Sequence, residues 1–324
     1  MHGIITANGT TSEATAEAIG QLIDAHQFLW LDLDGVDAQA HDLLLNVFHV
    51  HHLAVDDAQN FGQRPKIEDY ENFTYMVVHG ASSDGTATEE VHFIFADHFV
   101  ITVHHRPCAA MDSVRARIAH RKPSEAESPQ IALIYLVIDQ LVDSFFPMLD
   151  TFDSQIDELE DAILVNPTDD QLGQLFTMKR RLLAIRKVVT PQRDMFASIT
   201  SGVAVLPGVD DNGLRYVRDI YDHLIRISDL VDGYRDLLSS VMDTHLSTVS
   251  NRLNVVMKQL TIIATVFLPL SFLTGFFGQN FSFLINHIEG PVPFYVFGIG
   301  LELIAAGALL YLFRKRGWLG GPTS

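Results

Sequence analysis

Asn254, Met257, Thr261, Ala264, Leu268, Ser271 and Gly275 recur at three- and four-residue spacing, so on a helix they share one face. The face is polar or small within a stretch that has no Asp, Glu, Lys or Arg from Gln259 to Ile288. Two readings fit it. Several copies gathered about an axis would present amide and hydroxyl oxygens to a hydrated cation; a single copy would offer small side chains as a packing seam for another helix. Downstream, Gly278-Gln279-Asn280 places a glycine before two amides, and in isolation that is an ordinary helix end and turn. Glu302 is the one charged residue from Gly290 to Phe313, and a carboxylate in so apolar a run marks a functional position by default. Catalytic patterns are missing: there is no His-Glu-x-x-His, no Gly-x-x-x-x-Gly-Lys and no Gly-x-Ser-x-Gly, so no enzyme is expected.

The elements that must carry these residues divide the chain unevenly. Of 324 residues 48% are hydrophobic and the mean hydropathy is +0.17, although the chain holds 22 basic and 40 acidic residues. Most charges precede residue 259, which implies a water-soluble body joined to a short membrane module. The net charge of −18 gives no basic field for nucleic-acid phosphates and is compatible with attracting cations. One cysteine, Cys108, excludes an internal disulfide framework. The start has neither basic nor apolar signal-peptide regions, so the body is expected to stay in the compartment of synthesis.

Residues 1–125 mix strand-like runs (Phe28 to Leu33, Phe73 to Val78, Val91 to Val103 with a turn at Ala96-Asp97-His98) with helical ones (Ala38 to Phe48, His52 to Ala58), which predicts an α+β cytoplasmic domain. Residues 126–206 read as a helical hairpin: one helix from Ile131 to Leu164, then a second capped by Thr168, Asp169 and Asp170, with Pro191 as a kink. A stalk helix over 207–276 runs into the first span. A connector covers 277–290, a second span 291–313, and a basic tail 314–324. Arg252 and Lys258 precede the first span and Arg314, Lys315 and Arg316 follow the second, while the connector has no Lys or Arg. Both termini are therefore expected inside. Two helices cannot enclose a water path, so a pore requires several subunits.

The run from Asn254 to Pro269, followed by Thr274-Gly275-Phe276-Phe277-Gly278-Gln279-Asn280-Phe281, resembles the CorA family of divalent-cation channels, the two-transmembrane GxN family. Leu53 to Asp57, Arg64-Pro65-Lys66, Tyr216 to His223 and Arg314 to Leu319 extend the resemblance over nearly the whole chain. It implies a funnel-shaped homopentamer in a bacterial inner membrane, with the first span lining the pore. Gly278, Gln279 and Asn280 would form the ion entrance, Met257, Leu260 and Leu268 a hydrophobic constriction, and Asn254, Thr261 and Ser271 polar positions along the path. Family members that carry magnesium have Gly-Met-Asn, so Gln279 bears on ion identity. Mg²⁺ is the expected cargo and regulator, with Co²⁺ or Ni²⁺ as surrogates; a ZntB-like, proton-coupled Zn²⁺ transporter is the alternative, and a non-conducting metal-responsive scaffold a second one. By position, Asp57 and Asp219 match a cytoplasmic metal sensor between subunits, with Asp56 and Asp222 nearby. Because His49 to His52 falls on a turn before the helix carrying Asp57, it is not expected to ligate metal, nor is His104-His105. In relatives the second helix lies outermost, where Glu302 would stay protonated or bond Ser271 or Thr274 of a neighbour. Glu289 is the one acid of the connector.

Overall fold

The computed structural model describes residues 3–7, 10–105, 108–120, 129–288 and 290–318; the boundary expected at 125/126, Glu289 and Leu319 lie outside them. The chain forms two compact units, Met1–Met242 and Asp243–Ser324.

The first unit is built on a seven-stranded mixed sheet of order β2-β1-β3-β7-β6-β5-β4. Its strands are β1 (Gly3–Ala7), β2 (Thr10–Glu13), β3 (Leu29–Asp34), β4 (Lys66–Asp69), β5 (Thr74–Ala81), β6 (Thr88–Ala96) and β7 (Phe99–His104). Only β3 and β7 run parallel; the other neighbours are antiparallel. Strand alternation sends side chains to two cores. Leu29, Leu31, Leu33, Tyr75 and Val77 pack beneath α1 (Ala16–Asp24), α2 (Ala38–Asn46) and α3 (His52–Gln59). Trp30, Met76, Val78, Phe93 and Phe95 face α4 (Ala109–His120), α5 (Pro129–Asp143), α6 (Phe145–Val165), α7 (Asp169–Thr200) and the first part of α8 (Gly213–Phe277). The expected α+β domain is thus a sheet covered on both faces.

One sequence reading needs correction. The single helix expected from Ile131 to Leu164 is broken at Ser144. Pro147 has no N–H to bond back to Asp143, and the Ser144 hydroxyl turns to donate to the Leu141 carbonyl (2.5 Å) while accepting from the Ala81 N–H (2.7 Å). Pro191 lies inside α7, which continues through it. The Thr168 cap forms as read: its hydroxyl accepts from the Gln171 N–H, and the Gln171 side chain accepts from the Thr168 N–H (2.8 Å).

β4 covers β5 only as far as Val77, paired with Lys66. Beyond it the outward backbone groups of β5 are satisfied by helix side chains. Gln192 of α7, fully buried, accepts from His79 N–H (2.7 Å) and donates to His79 C=O (3.1 Å), and Ser144 takes Ala81 N–H. The buried thiol of Cys108 is pushed up to about 12 by burial and by the Glu89 carboxylate beside it.

The second unit contains α8 from residue 243 onward, α9 (Ser282–His287), a turn α10 (Pro291–Pro293), a π-helical segment (Phe294–Gly300) and α11 (Leu301–Lys315). Among the described residues three helical stretches are long and apolar enough to cross a membrane. Pro129–Val165 has 56% of its most apolar window buried within the protein and serves as core. The windows in Gly213–Phe277 and Pro291–Lys315 are 0% and 6% buried, so their apolar surface requires an environment other than this chain.

Candidate cation path and metal cluster

In the second unit α8 has two unlike faces. Ile262, Val266, Pro269, Leu270, Leu273 and Phe277 are partly covered, and the second span lies on that side. Phe277 stacks on Phe297 at 6.2 Å, the Thr274 hydroxyl donates to Glu302 Oε1 at 2.9 Å, and Lys258 Nζ donates to the Gly317 carbonyl at 3.4 Å. At about 100° per residue, Asn254, Met257, Leu260, Thr261, Leu268 and Ser271 project from the opposite face. All six are exposed, Leu268 at 72%. The Thr261 hydroxyl donates back to the Met257 carbonyl (2.7 Å), which leaves the oxygen's lone pairs facing outward.

α8 ends in a tight turn. Gly278 N–H bonds to Thr274 C=O (2.9 Å) and Gln279 N–H to Phe276 C=O (3.3 Å). A Cβ on Gly278 would lie 3.0 Å from the Thr274 carbonyl oxygen, a tight approach that a larger residue meets only if the turn gives by a few tenths of an ångström. Gln279 and Asn280 follow, both exposed. Glu302 bonds Thr274 of the same chain, because the second span packs along its own α8. The Thr274 hydroxyl also reaches the Leu270 carbonyl (2.7 Å), so one hydrogen is shared between two acceptors.

In the first unit Asp57 and Asp219 belong to separate networks. Asp57, on α3, is paired with Lys66 on β4 (2.6 Å), which also holds Glu68 (2.9 Å). Burial opposes the charge on Lys66, but its bonds to Asp57 and Glu68 outweigh this and hold its pKa above the usual value. Asp219, on α8, accepts from the Tyr135 hydroxyl of α5 (2.9 Å). Asp56 is occupied locally by Asn60 (3.2 Å), and Asp222 is exposed.

A cluster that the sequence reading missed sits beside Asp219. Asp139 and Asp143, one turn apart on α5, and His223, one turn beyond Asp219 on α8, bring one ligand atom each to within 4.8 Å of one another. His223 Nδ1 lies 2.9 Å from Asp143 Oδ1. Burial, and then the neighbouring charge of Asp143, raise the pKa of Asp139; burial and the bond to Asp219 raise that of Tyr135. Two carboxylates and an imidazole form a donor set for a divalent cation, and a cation would relieve that repulsion. The signal was present: Tyr135, Asp139 and Asp143 recur every four residues on an apolar helix.

The histidine tracts have structural work. His51 caps α3, its ring accepting from the Leu53 N–H (3.3 Å), and His104 is buried 3.3 Å from Asp32.

The model of the family described as CorA-like Mg²⁺ transporter protein matches residues 25–315. The chain belongs to the CorA family. It is 33% identical over 313 residues to the cobalt/magnesium transport protein CorA of Thermotoga maritima, covering 94% of this chain and 87% of that protein. It is 24% identical over 311 residues to the zinc transport protein ZntB of Yersinia pseudotuberculosis, covering 94% of this chain and 92% of that one. The solved CorA magnesium transporter of Methanocaldococcus jannaschii shares the fold with a TM-score of 0.82 over 98% of this chain and 99% of that chain, at 19% identity. This CorA chain is accordingly a membrane metal-cation transporter.

Proposed function

We propose that this CorA-family chain is one subunit of a homopentameric channel for hydrated divalent cations, most suited to Mg²⁺ and admitting Co²⁺ or Ni²⁺. The observation that carries the reading is the two-faced α8. Its own second span covers one side, and the polar and apolar residues of the opposite side are left for other copies. With that face turned to a common axis, Asn280 forms a ring of amide oxygens at the outer mouth. Such oxygens can bond the water shell that Mg²⁺ gives up reluctantly. Met257, Leu260 and Leu268 form apolar rings that close the path by dewetting; Asn254, Thr261 and Ser271 supply polar rings between them. Both termini and the acidic first unit lie in the cytoplasm of a bacterial cell, below its inner membrane.

Regulation fits the same chemistry. Divalent cation held by Asp139, Asp143 and His223, with Asp219 alongside, would neutralise carboxylates where α5 meets α8. Asp57 joins such a site from an adjacent subunit only by releasing Lys66.

A second reading, proton-coupled Zn²⁺ transport, is favoured by Gln279 in place of methionine and by the similarity to ZntB. One experiment separates the two: flux into proteoliposomes with Mg²⁺ and Zn²⁺ in parallel, for wild type and Asn280→Ala, with and without a pH gradient. Mg²⁺ entry independent of pH and lowered by Asn280→Ala is the expected result. Proton-dependent Zn²⁺ entry would move the assignment to the second reading, and no flux of either ion would remove both.

A further inference from the structure

The charges of the second unit are sorted by position. Residues 243–324 carry five cationic side chains, Arg252, Lys258, Arg314, Lys315 and Arg316, against Asp243, Glu289 and Glu302, a net of +2 in a chain whose remainder is −20. All five cations lie at the same ends of the two spans. The geometry there is built. α11 closes with Gly317 at φ +70, Gly317 N–H bonded to Arg314 C=O (3.1 Å) and Trp318 N–H bonded to Phe313 C=O (2.8 Å). This cap folds Trp318 back onto buried Phe313, rings 5.6 Å apart and 13° from parallel. Lys258 of α8 donates to the Gly317 carbonyl and ties the cap to the first span. Arg314, Lys315 and Arg316 remain exposed around an indole fixed beside them.

An indole at the end of an apolar span settles at headgroup depth, and clustered Arg and Lys beside it meet phosphate. We propose that this cap is a binding site for anionic phospholipid headgroups in the leaflet on the side of both chain ends, with Arg314, Lys315 and Arg316 facing the phosphate and Trp318 the glycerol region. The proposal rests on the membrane reading above and adds a lipid specificity to it. The occupant is a lipid, because the cations surround an aromatic anchor at the end of a span. The site also offsets the repulsion that an acidic body experiences near an anionic surface.

The test uses the full chain in phosphatidylcholine vesicles with and without phosphatidylglycerol, reading quenching of tryptophan fluorescence by brominated lipid of either headgroup. The other tryptophan, Trp30, is buried in the sheet. Brominated phosphatidylglycerol is expected to quench Trp318 in preference to brominated phosphatidylcholine, less so at high salt. The preference should fall about fivefold for each cation removed in the triple variant Arg314→Gln, Lys315→Gln, Arg316→Gln. Arg314→Lys with Arg316→Lys should keep it, and soluble glycerol phosphate should not compete. Equal quenching by both lipids, a preference that survives the triple variant, or competition by glycerol phosphate overturns the proposal. Ion flux measured in the same vesicles separates the two readings: lipid preference without flux removes only the transport assignment, and flux without lipid preference removes only the headgroup site.

Discussion

Gln192→Leu removes the amide oxygen and nitrogen that satisfy His79 at the open edge of β5, while nearly conserving volume. Gln192 is fully buried and serves His79 N–H at 2.7 Å and His79 C=O at 3.1 Å. Leucine leaves one buried donor and one buried acceptor without partners, each costing about 1–3 kcal/mol, so a total near 3 kcal/mol is expected. At roughly 2–4 °C per kcal/mol for a unit of this size, the Tm of unfolding falls by about 6–12 °C. Amide exchange provides the local readout: His79 N–H, protected in the wild type, should exchange faster in the variant. The expected assay pair is thermal unfolding by circular dichroism in detergent and hydrogen exchange by mass spectrometry. A loss under about 1 kcal/mol with His79 still protected would refute the reasoning, because something other than Gln192 would then be satisfying that edge.

Three further outcomes follow from the same structure. His79 is buried, and burial pushes its pKa down to about 4, so the unfolded chain takes up the proton first. Its contribution, about 3 kcal/mol, is complete above pH 6.5 and is lost as pH falls from 6.5 to 4; Tm measured against pH should flatten in His79→Gln by comparison with wild type, and parallel curves would contradict this. Mg²⁺ at a hundredfold excess over its Kd should stabilise the protein by about 2.7 kcal/mol. That gain should vanish in Asp143→Asn with His223→Ala and weaken as pH falls towards the raised pKa of Asp139, whose protonated form cannot ligate; a thermal shift unchanged in the double variant would dismiss the cluster. Thr274→Val and Glu302→Leu should show a coupling of about 0.6–1.7 kcal/mol in a double-mutant cycle read by unfolding in micelles, and additive effects would deny the interhelical bond.

Strands and spans were legible where pattern and burial agree. Leu29–Asp34, Thr74–Ala81 and the β6–β7 pair sit where alternation placed them, and the charge-free stretch marked the apolar end of α8. β1, β2 and β4 were missed because they are short strands at or next to the sheet edges, too brief for alternation to mark them. The break at Ser144 was invisible for a related reason: the helix yields to a strand N–H from Ala81. Site residues divide likewise. Gly278 could be read from the ordered run around it, whereas Asp139, Asp143 and His223 converge from two helices 80 residues apart in the chain, and only the fold brings them together. Glu302 bonds Thr274 of its own α8, a pairing the sequence did not specify, because hydropathy gives the existence of two spans and not which partner each has.

The single cysteine has a practical consequence. Cys108 is buried and its thiol is pushed up to about 12, so the native chain is close to inert towards electrophiles. Cysteines placed one at a time along 254–275 can therefore be labelled against a silent background. Reaction with a water-soluble reagent should follow the three- and four-residue rhythm of one helix side, and it reports directly which side of each subunit is wet.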